Sequence, residues 1–251
     1  MKNIILIGSG NVATHIGIAL KNSNFAILQV YSKSIQNAKA LAKKLDTHFT
    51  NDLSKLKSAD LIIVSVNDDA ISIVLSQIKN TAIVHTSGSI GLNVFRGNFS
   101  SYGVFYPLQT FNKEVDINIS EIPFCIEGNS LGFEKQLIKI AKALSNNVVK
   151  MNSQQRKQLH IAAVFACNFS NHMYSIADDL LAKKNIDFKI LLPLIRKTNA
   201  NLENYRPKEV QTGPAKRKDT AIIQKHIATI KEKEIKELYQ KISANIIKFH
   251  E

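Results

Sequence analysis

Gly8-Ser9-Gly10-Asn11-Val12-Ala13 is a GxGxxA pattern lying after an apolar run, Asn3 to Ile7, and opening a helical pattern, Val12 to Leu20. Those residue types in that setting suit phosphate binding. Gly8 permits a tight turn, Gly10 lets the backbone approach a pyrophosphate, and Ala13 keeps the helix close to the strand, while N–H groups at the helix start face the anion. The next apolar run ends in Tyr31-Ser32-Lys33-Ser34. An Asp or Glu at that point would bind the adenosine ribose hydroxyls of NAD and repel a 2′-phosphate. The sequence offers instead the hydroxyls of Ser32 and Ser34 and the ammonium of Lys33, which suit charge-assisted hydrogen bonds. NADP(H) is therefore the expected cofactor; the plain alternative is a polar turn in which Ser34 caps the following helix.

Two more strand-end loops carry candidate contacts. Val66 and Asn67 end one apolar run where residues commonly pass beneath a dinucleotide, although Asp68 and Asp69 could equally cap the next helix. His85-Thr86-Ser87-Gly88-Ser89 ends another in a small polar loop, in which Thr86 and Ser87 suit the floor of a nicotinamide site and His85 is either catalytic or structural. Further on, Tyr106-Pro107-Leu108-Gln109-Thr110-Phe111 reads as a substrate-facing loop with Gln109 as its polar contact. In Gly213 to Asp219, Arg217 could grip a carboxylate or phosphate, while Asp219 caps the helix beginning at Thr220. On the long helical pattern after Asn152, His160, Asn168 and His172 are spaced to share one face within the apolar run Ile161 to Cys167, with Asn171 on a neighbouring stripe. Polar groups on a buried helix need partners, and a substrate crevice is one place to find them. The alternative is that they bridge helices or a dimer interface.

Positioning these residues takes two kinds of structure. Apolar segments alternate with helical patterns through the first half: Asn3 to Ile7, Ala26 to Tyr31, Leu61 to Val66 and Thr81 to His85, then Tyr102 to Tyr106, Pro123 to Glu127 and Val148 to Met151. Consecutive apolar positions in such runs indicate strands covered on both faces, hence a parallel, doubly wound α/β sheet of Rossmann type over residues 1–151. Residues 152–251 read as helix throughout: Gln154 to Leu181 with Ser153 as N-cap, Asp187 to Glu203, and stretches from Thr220 to Phe249.

GSGNVA, SVNDDAI, HTSGS, GVFYPLQTF and GPAKRKD together resemble the bacterial Rossmann-like oxidoreductases whose C-terminal part is a domain of unknown function. The resemblance spans essentially the whole chain. More distantly the layout is similar to pyrroline-5-carboxylate reductase, prephenate dehydrogenase, and the 6-phosphogluconate and β-hydroxyacid dehydrogenases. It implies an all-α C-terminal domain like that of 6-phosphogluconate dehydrogenase, NADP as cofactor, and a homodimer through the helical domain. It implies no particular substrate. The better-understood relatives carry a catalytic Lys four residues before an Asn on the first long helix; here Val164 stands four residues before Asn168, so their mechanism does not transfer. Hydride transfer to or from a small carbonyl or imine then needs a proton donor from elsewhere, and His160 as general acid with Asn168 as a substrate-orienting amide is the expectation. A non-enzymatic NADP-binding sensor or assembly module is the competing reading.

Composition narrows the classes further. With 45% apolar and 21% charged residues the chain can form a globular core. The run Ile4 to Ile7 is shorter than the roughly 7–15 apolar residues of a signal peptide, and no run reaches the roughly 20 that span a bilayer. A cytoplasmic protein without membrane association is expected. Cys125 and Cys167 lie in separate apolar segments without metal-ligand spacing, so core positions and no metal site are expected. The formal charge of +13 raises the possibility of nucleic acid, but the lysines are scattered and no aromatic residues are interleaved with a basic stripe, which argues against it.

Overall fold

The computed structural model describes residues 1–79, 81–95, 97 and 99–251, and divides into two compact units, Met1–Cys167 and Asn168–Glu251. The first contains strands β1 (Asn3–Ile7), β2 (Ala26–Tyr31), β3 (His48–Thr50), β4 (Leu61–Val64), β5 (Ile83–His85), β6 (Tyr102–Pro107), β7 (Phe124–Gly128) and β8 (Val148–Lys150). Among the described residues they form one sheet in the order β3-β2-β1-β4-β5-β6-β7-β8. Neighbours are parallel except β6 and β7, which are antiparallel. Helices α1 (Asn11–Asn22), α2 (Ile35–Leu45), α3 (Asp68–Leu75) and α4 (Leu131–Leu144) connect or flank the strands.

The consecutive apolar residues of β1 are explained by the two cores they enter. Ile4 and Leu6 pack with Ile16, Leu20 and Leu41, whereas Ile5 and Ile7 pack with Ile71, Val74 and Phe95. Side chains alternate across a strand, so a sheet covered on both faces needs apolar residues at both parities. Helix α1 approaches β1 closely because Gly17 faces it: a Cβ there would lie 2.7 Å from Leu6 Cδ1 and 2.9 Å from Leu45 Cδ1. Strand order reverses between β1 and β4, and the crevice beyond the carboxyl ends of these strands is where such sheets take ligands.

Strand β3 was not expected. It is an edge strand of three residues, of which Thr50 alone is buried, so it carries no apolar run. The strands expected to reach Val66 and to start at Thr81 are shorter, which leaves Ser65 and Val66 in a loop. The helix expected unbroken from Gln154 to Leu181 is three pieces: α5 (Ser153–Ala163), a π-helix (Val164–Phe169) and α6 (Ser170–Ala182). Asn152, not Ser153, caps α5, in a capping box with Gln155.

In the second unit, the stretch expected from Asp187 to Glu203 is a 3-10 turn, Phe188–Leu191, followed by α7 (Leu192–Asn201) with Pro193 in its first turn, where a missing N–H costs nothing. Helices α8 (Thr220–Thr229) and α9 (Lys233–Phe249) complete it, and Asp219 caps α8 as expected, accepting from Ile222 N at 3.2 Å. Cys125 is buried, but Cys167 is exposed, contrary to its expected core position, because its apolar neighbours Phe165 and Phe169 are themselves 66% and 47% exposed. No helix among the described residues is long and apolar enough to cross a membrane.

Candidate functional site

The glycine-rich turn sits where β1 meets α1. Gly8 has φ +119°, its N–H donates to Tyr31 O at 2.8 Å, and a Cβ on it would fall 2.0 Å from Ser65 O. No L side chain fits there. Gly10 differs: its φ is −78° and a Cβ would meet nothing within 4 Å. The protein itself therefore does not require glycine at position 10, and the open space beside the first turn of α1 is available to a group that must approach the backbone. This is the expected cradle for a pyrophosphate, and the residues present fit one.

A cavity of about 430 Å³ opens from this turn within the first unit. Gly10, Asn11, Val12, Val66, Asn67, Thr86, Ser87, Gln109 and His160 all line it, so nine of the residues expected at the site converge on one space. Gly8, Ser9 and Ala13 complete the turn behind it. Ser32 adjoins through its hydroxyl, which accepts from Ser9 Oγ at 2.8 Å, and Lys33 is exposed beside it. Ser34 does cap α2, accepting from Asn37 N at 3.3 Å. Asn67 holds the N-cap position of α3 without a capping hydrogen bond from its side chain, and Asp68 and Asp69 lie within the first turn.

The polar floor is ordered by its own hydroxyls. Thr86 Oγ1 donates to Ser65 Oγ at 3.1 Å, and Ser87 Oγ accepts from Ser89 N and Ile90 N at 3.0 and 3.1 Å. His85 points away from this surface: it is fully buried, stacks on Phe95 at 5.4 Å, and its Nδ1 accepts from Ser87 N at 3.2 Å. Burial, reinforced by the nearby Arg156, depresses its pKa to about 3. Its geometry is structural.

The pairing of Tyr106 with His160 was not anticipated. Tyr106 Oη and His160 Nδ1 are 3.0 Å apart, the rings meet edge to face at 6.0 Å, and both residues line the cavity. Burial pushes the Tyr106 hydroxyl up to about 12, so it keeps its proton at neutral pH. Tyr106 donates to a neutral His160 and accepts from a protonated one, so the bond holds the ring in either state. Gly88 makes the pair possible, since a Cβ there would lie 2.8 Å from both His160 Nδ1 and Tyr106 Cζ. The sequence signal was a tyrosine at a strand end beside a proline, which reads equally as core.

A buried ion pair anchors the helix that carries His160. Arg156, fully buried, binds the Glu127 carboxylate and donates to Ile90 O, while Ser153 N and Oγ donate to Glu127 at 2.9 and 2.7 Å. Strand β7, the loop after β5 and the first turn of α5 are thus tied together one helical turn before His160. Removing one partner of such a pair leaves a buried charge uncompensated.

Not every expected residue joins this space. Asn168 is exposed, begins the second unit, and does not line the cavity; Arg217 is exposed in the same unit. The shared face expected for His160, Asn168 and His172 assumes regular α-helical spacing, which the π-helix at Val164–Phe169 interrupts. Nor is the helix around them buried as expected: Ile161 and Phe165 are 52% and 66% exposed. Among the described residues no group of His, Cys, Asp or Glu is arranged to hold a metal ion.

A mainly parallel sheet with a glycine turn at its switch point defines the class: a Rossmann-like α/β protein followed by helices. A model of shikimate / quinate 5-dehydrogenase matches residues 1–89, and a domain of unknown function (DUF2520) matches residues 122–246. A Bacteroides fragilis protein described as a putative NADP oxidoreductase is 42% identical, with 98% of each chain covered and a TM-score of 0.94. The chain belongs to the family of that protein, Rossmann-like chains with this C-terminal domain. A 1-pyrroline-5-carboxylate reductase of Streptococcus pyogenes shares the fold at 14% identity, over 98% of each chain, with a TM-score of 0.64. An imine reductase of Myxococcus stipitatus, in complex with NADP+, does so at 14% identity, over 98% of this chain and 92% of its own, with a TM-score of 0.65. No curated protein matches the sequence.

Proposed function

We propose that the chain is an NADP(H)-dependent oxidoreductase transferring a hydride to or from a small carbonyl or imine. The observation that carries this reading is a single cavity lined both by the glycine-rich turn and by the hydrogen-bonded Tyr106–His160 pair. Membership of a family with a protein described as an NADP oxidoreductase supports it, and structures of the same fold include reductases of imines. Helix N–H groups at Asn11 to Ala13 would hold the pyrophosphate, and Ser32 and Lys33 the 2′-phosphate. When bound, the nicotinamide supplies or accepts the hydride.

The protein's own task is then to place the substrate and move one proton. His160, held by Tyr106 and by the anchored start of α5, acts in its doubly protonated form: it donates from Nδ1 to Tyr106 Oη and gives its Nε2 proton to the heteroatom of the substrate as charge develops there, which leaves a neutral imidazole that accepts from Tyr106. Gln109, on the cavity wall, is proposed as a polar contact to substrate, whereas Asn168 and Arg217 belong to the second unit, outside that lining, and are given no part in it. The domain division proposed from sequence, at residue 151, places the cofactor functions before it and substrate and dimer functions after it. A homodimer through the helical region and a cytoplasmic location belong to the same proposal.

The direct test is NADPH binding, followed by consumption of NADPH with a panel of cyclic imines and small carbonyl compounds. Tight NADPH binding, turnover with one member, and loss of turnover in His160→Phe with binding retained are expected. Binding without turnover across the panel, and no phenotype from His160→Phe in cells, would favour the sensor or assembly reading instead.

A further inference from the structure

A second cavity, of about 240 Å³, lies against the glycine-rich turn and shares with the first only Gly10 and Asn11. It is lined by Ser9, Gly10 and Asn11, by Thr14, by Lys113, and by one stripe of α2: Asn37, Ala40, Leu41 and Lys44. That stripe follows the spacing that keeps helical residues on one face. Two lysines therefore border one small space that no carboxylate lines. Among the described residues neither Lys44 nor Lys113 is in an ion pair. Two ammonium groups beside one recess repel each other unless an anion lies between them.

The side chain of Lys113 is exposed, but its backbone is fixed. The segment following β6 is strapped to the start of α1 by its backbone. Asn11 Nδ2 donates to Phe111 O at 3.0 Å, Lys113 N donates to Asn11 Oδ1 at 3.3 Å, and His15 Nε2 lies 2.9 Å from Asn112 O. The His15 and Phe111 rings pack at 5.4 Å. Asn11, inside the glycine-rich motif, thus holds Lys113 at the same turn that cradles a pyrophosphate. On the other side of that turn Ser9 is bonded to Ser32, at the end of β2, where the adenosine ribose of a dinucleotide leaves the turn.

We propose that Lys44 and Lys113, with Asn37, form a phosphate subsite that grips the 2′-phosphate of NADP(H) and supplements Ser32 and Lys33 in selecting it over NAD(H). This rests on the cofactor reading given above. It assigns a binding role to the strap after β6 and to the middle of α2, neither of which carries a phosphate motif.

The test is equilibrium binding of NADPH and of NADH to the full chain and to Lys113→Ala, Lys44→Ala, Lys113→Arg and, as a control for the general positive field, Lys139→Ala on α4. Each alanine variant at the subsite is expected to weaken NADPH by roughly three- to tenfold while leaving NADH unchanged, the size of a partly exposed charge-assisted contact. Lys113→Arg should keep most of the affinity, and Lys139→Ala should change neither ligand. Lys44 and Lys113 are exposed, so the variants should melt as the parent does. Equal weakening of NADPH and NADH would mean contact with the pyrophosphate and would overturn the proposal, as would unchanged NADPH binding in both alanine variants. A parent protein that binds neither nucleotide would instead remove the cofactor reading itself.

Discussion

His85 shows how one residue near a site can matter through stability rather than chemistry. Its folded pKa of about 3 lies below the ordinary 6.5, so between those values the unfolded chain binds a proton that the folded chain refuses. Its contribution is complete above about pH 6.5 and is lost as pH falls towards 3. Across that window the slope attributable to this ring is at most about 1.4 kcal/mol per pH unit. Denaturant unfolding of the parent and of His85→Gln from neutral to acid pH should show a shallower acid loss in the variant; equal slopes would mean that the buried ring is not the titrating group. Read from sequence, His85 is as much a catalyst as a core residue, because a histidine after an apolar run looks the same in either role. What separates them is Phe95, ten residues on, whose ring lies against the imidazole.

The strand-turn-helix element at Gly8 to Ala13 makes a sharper distinction between folding and binding. Gly8→Ala forces a Cβ to within 2.0 Å of Ser65 O at a positive φ, and should destabilise the fold by several kcal/mol, on the order of the costs known for strained backbone. Gly10→Ala meets no protein atom within 4 Å, so its melting temperature should match the parent while NADPH affinity falls. Thermal melts and nucleotide titrations of the two variants together check this, and a Gly10→Ala protein that binds normally would mean that nothing approaches the backbone there. The strand, turn and helix of this element were legible in the sequence, because the glycine spacing, which ordinary turns also use, lies in a chain that alternates strands and helices. Less was legible around His160. The π-helix has no residue signature in Val164 to Phe169, and the Arg156–Glu127 pair joins residues 29 apart on elements whose pairing only the tertiary fold reveals. Likewise β3, with one buried residue, offers no pattern to read.

Over the whole molecule, exposed apolar side chains gather in the helical region. In the single chain Leu194 is 65% exposed, Ile190 68% and Phe249 62%, with Leu180, Leu202 and Ile242 also open. Where such side chains form one contiguous patch they mark an association surface, which is what the proposed homodimer requires of them. Sedimentation equilibrium should give a dimer for the parent and a shift towards monomer for Leu194→Glu; a monomeric parent would end that part of the proposal. On the proposed cofactor reading, the formal charge of +13 would act as a general attraction for a polyanionic ligand, with selectivity falling to Ser32, Lys33 and the lysines proposed at the second cavity. The most direct measurement is calorimetric titration of the full chain with NADPH and with NADH at moderate salt. A single site per chain that prefers NADPH is predicted, and absence of binding by either nucleotide would contradict the assignment of the glycine-rich turn and the cavity beyond it.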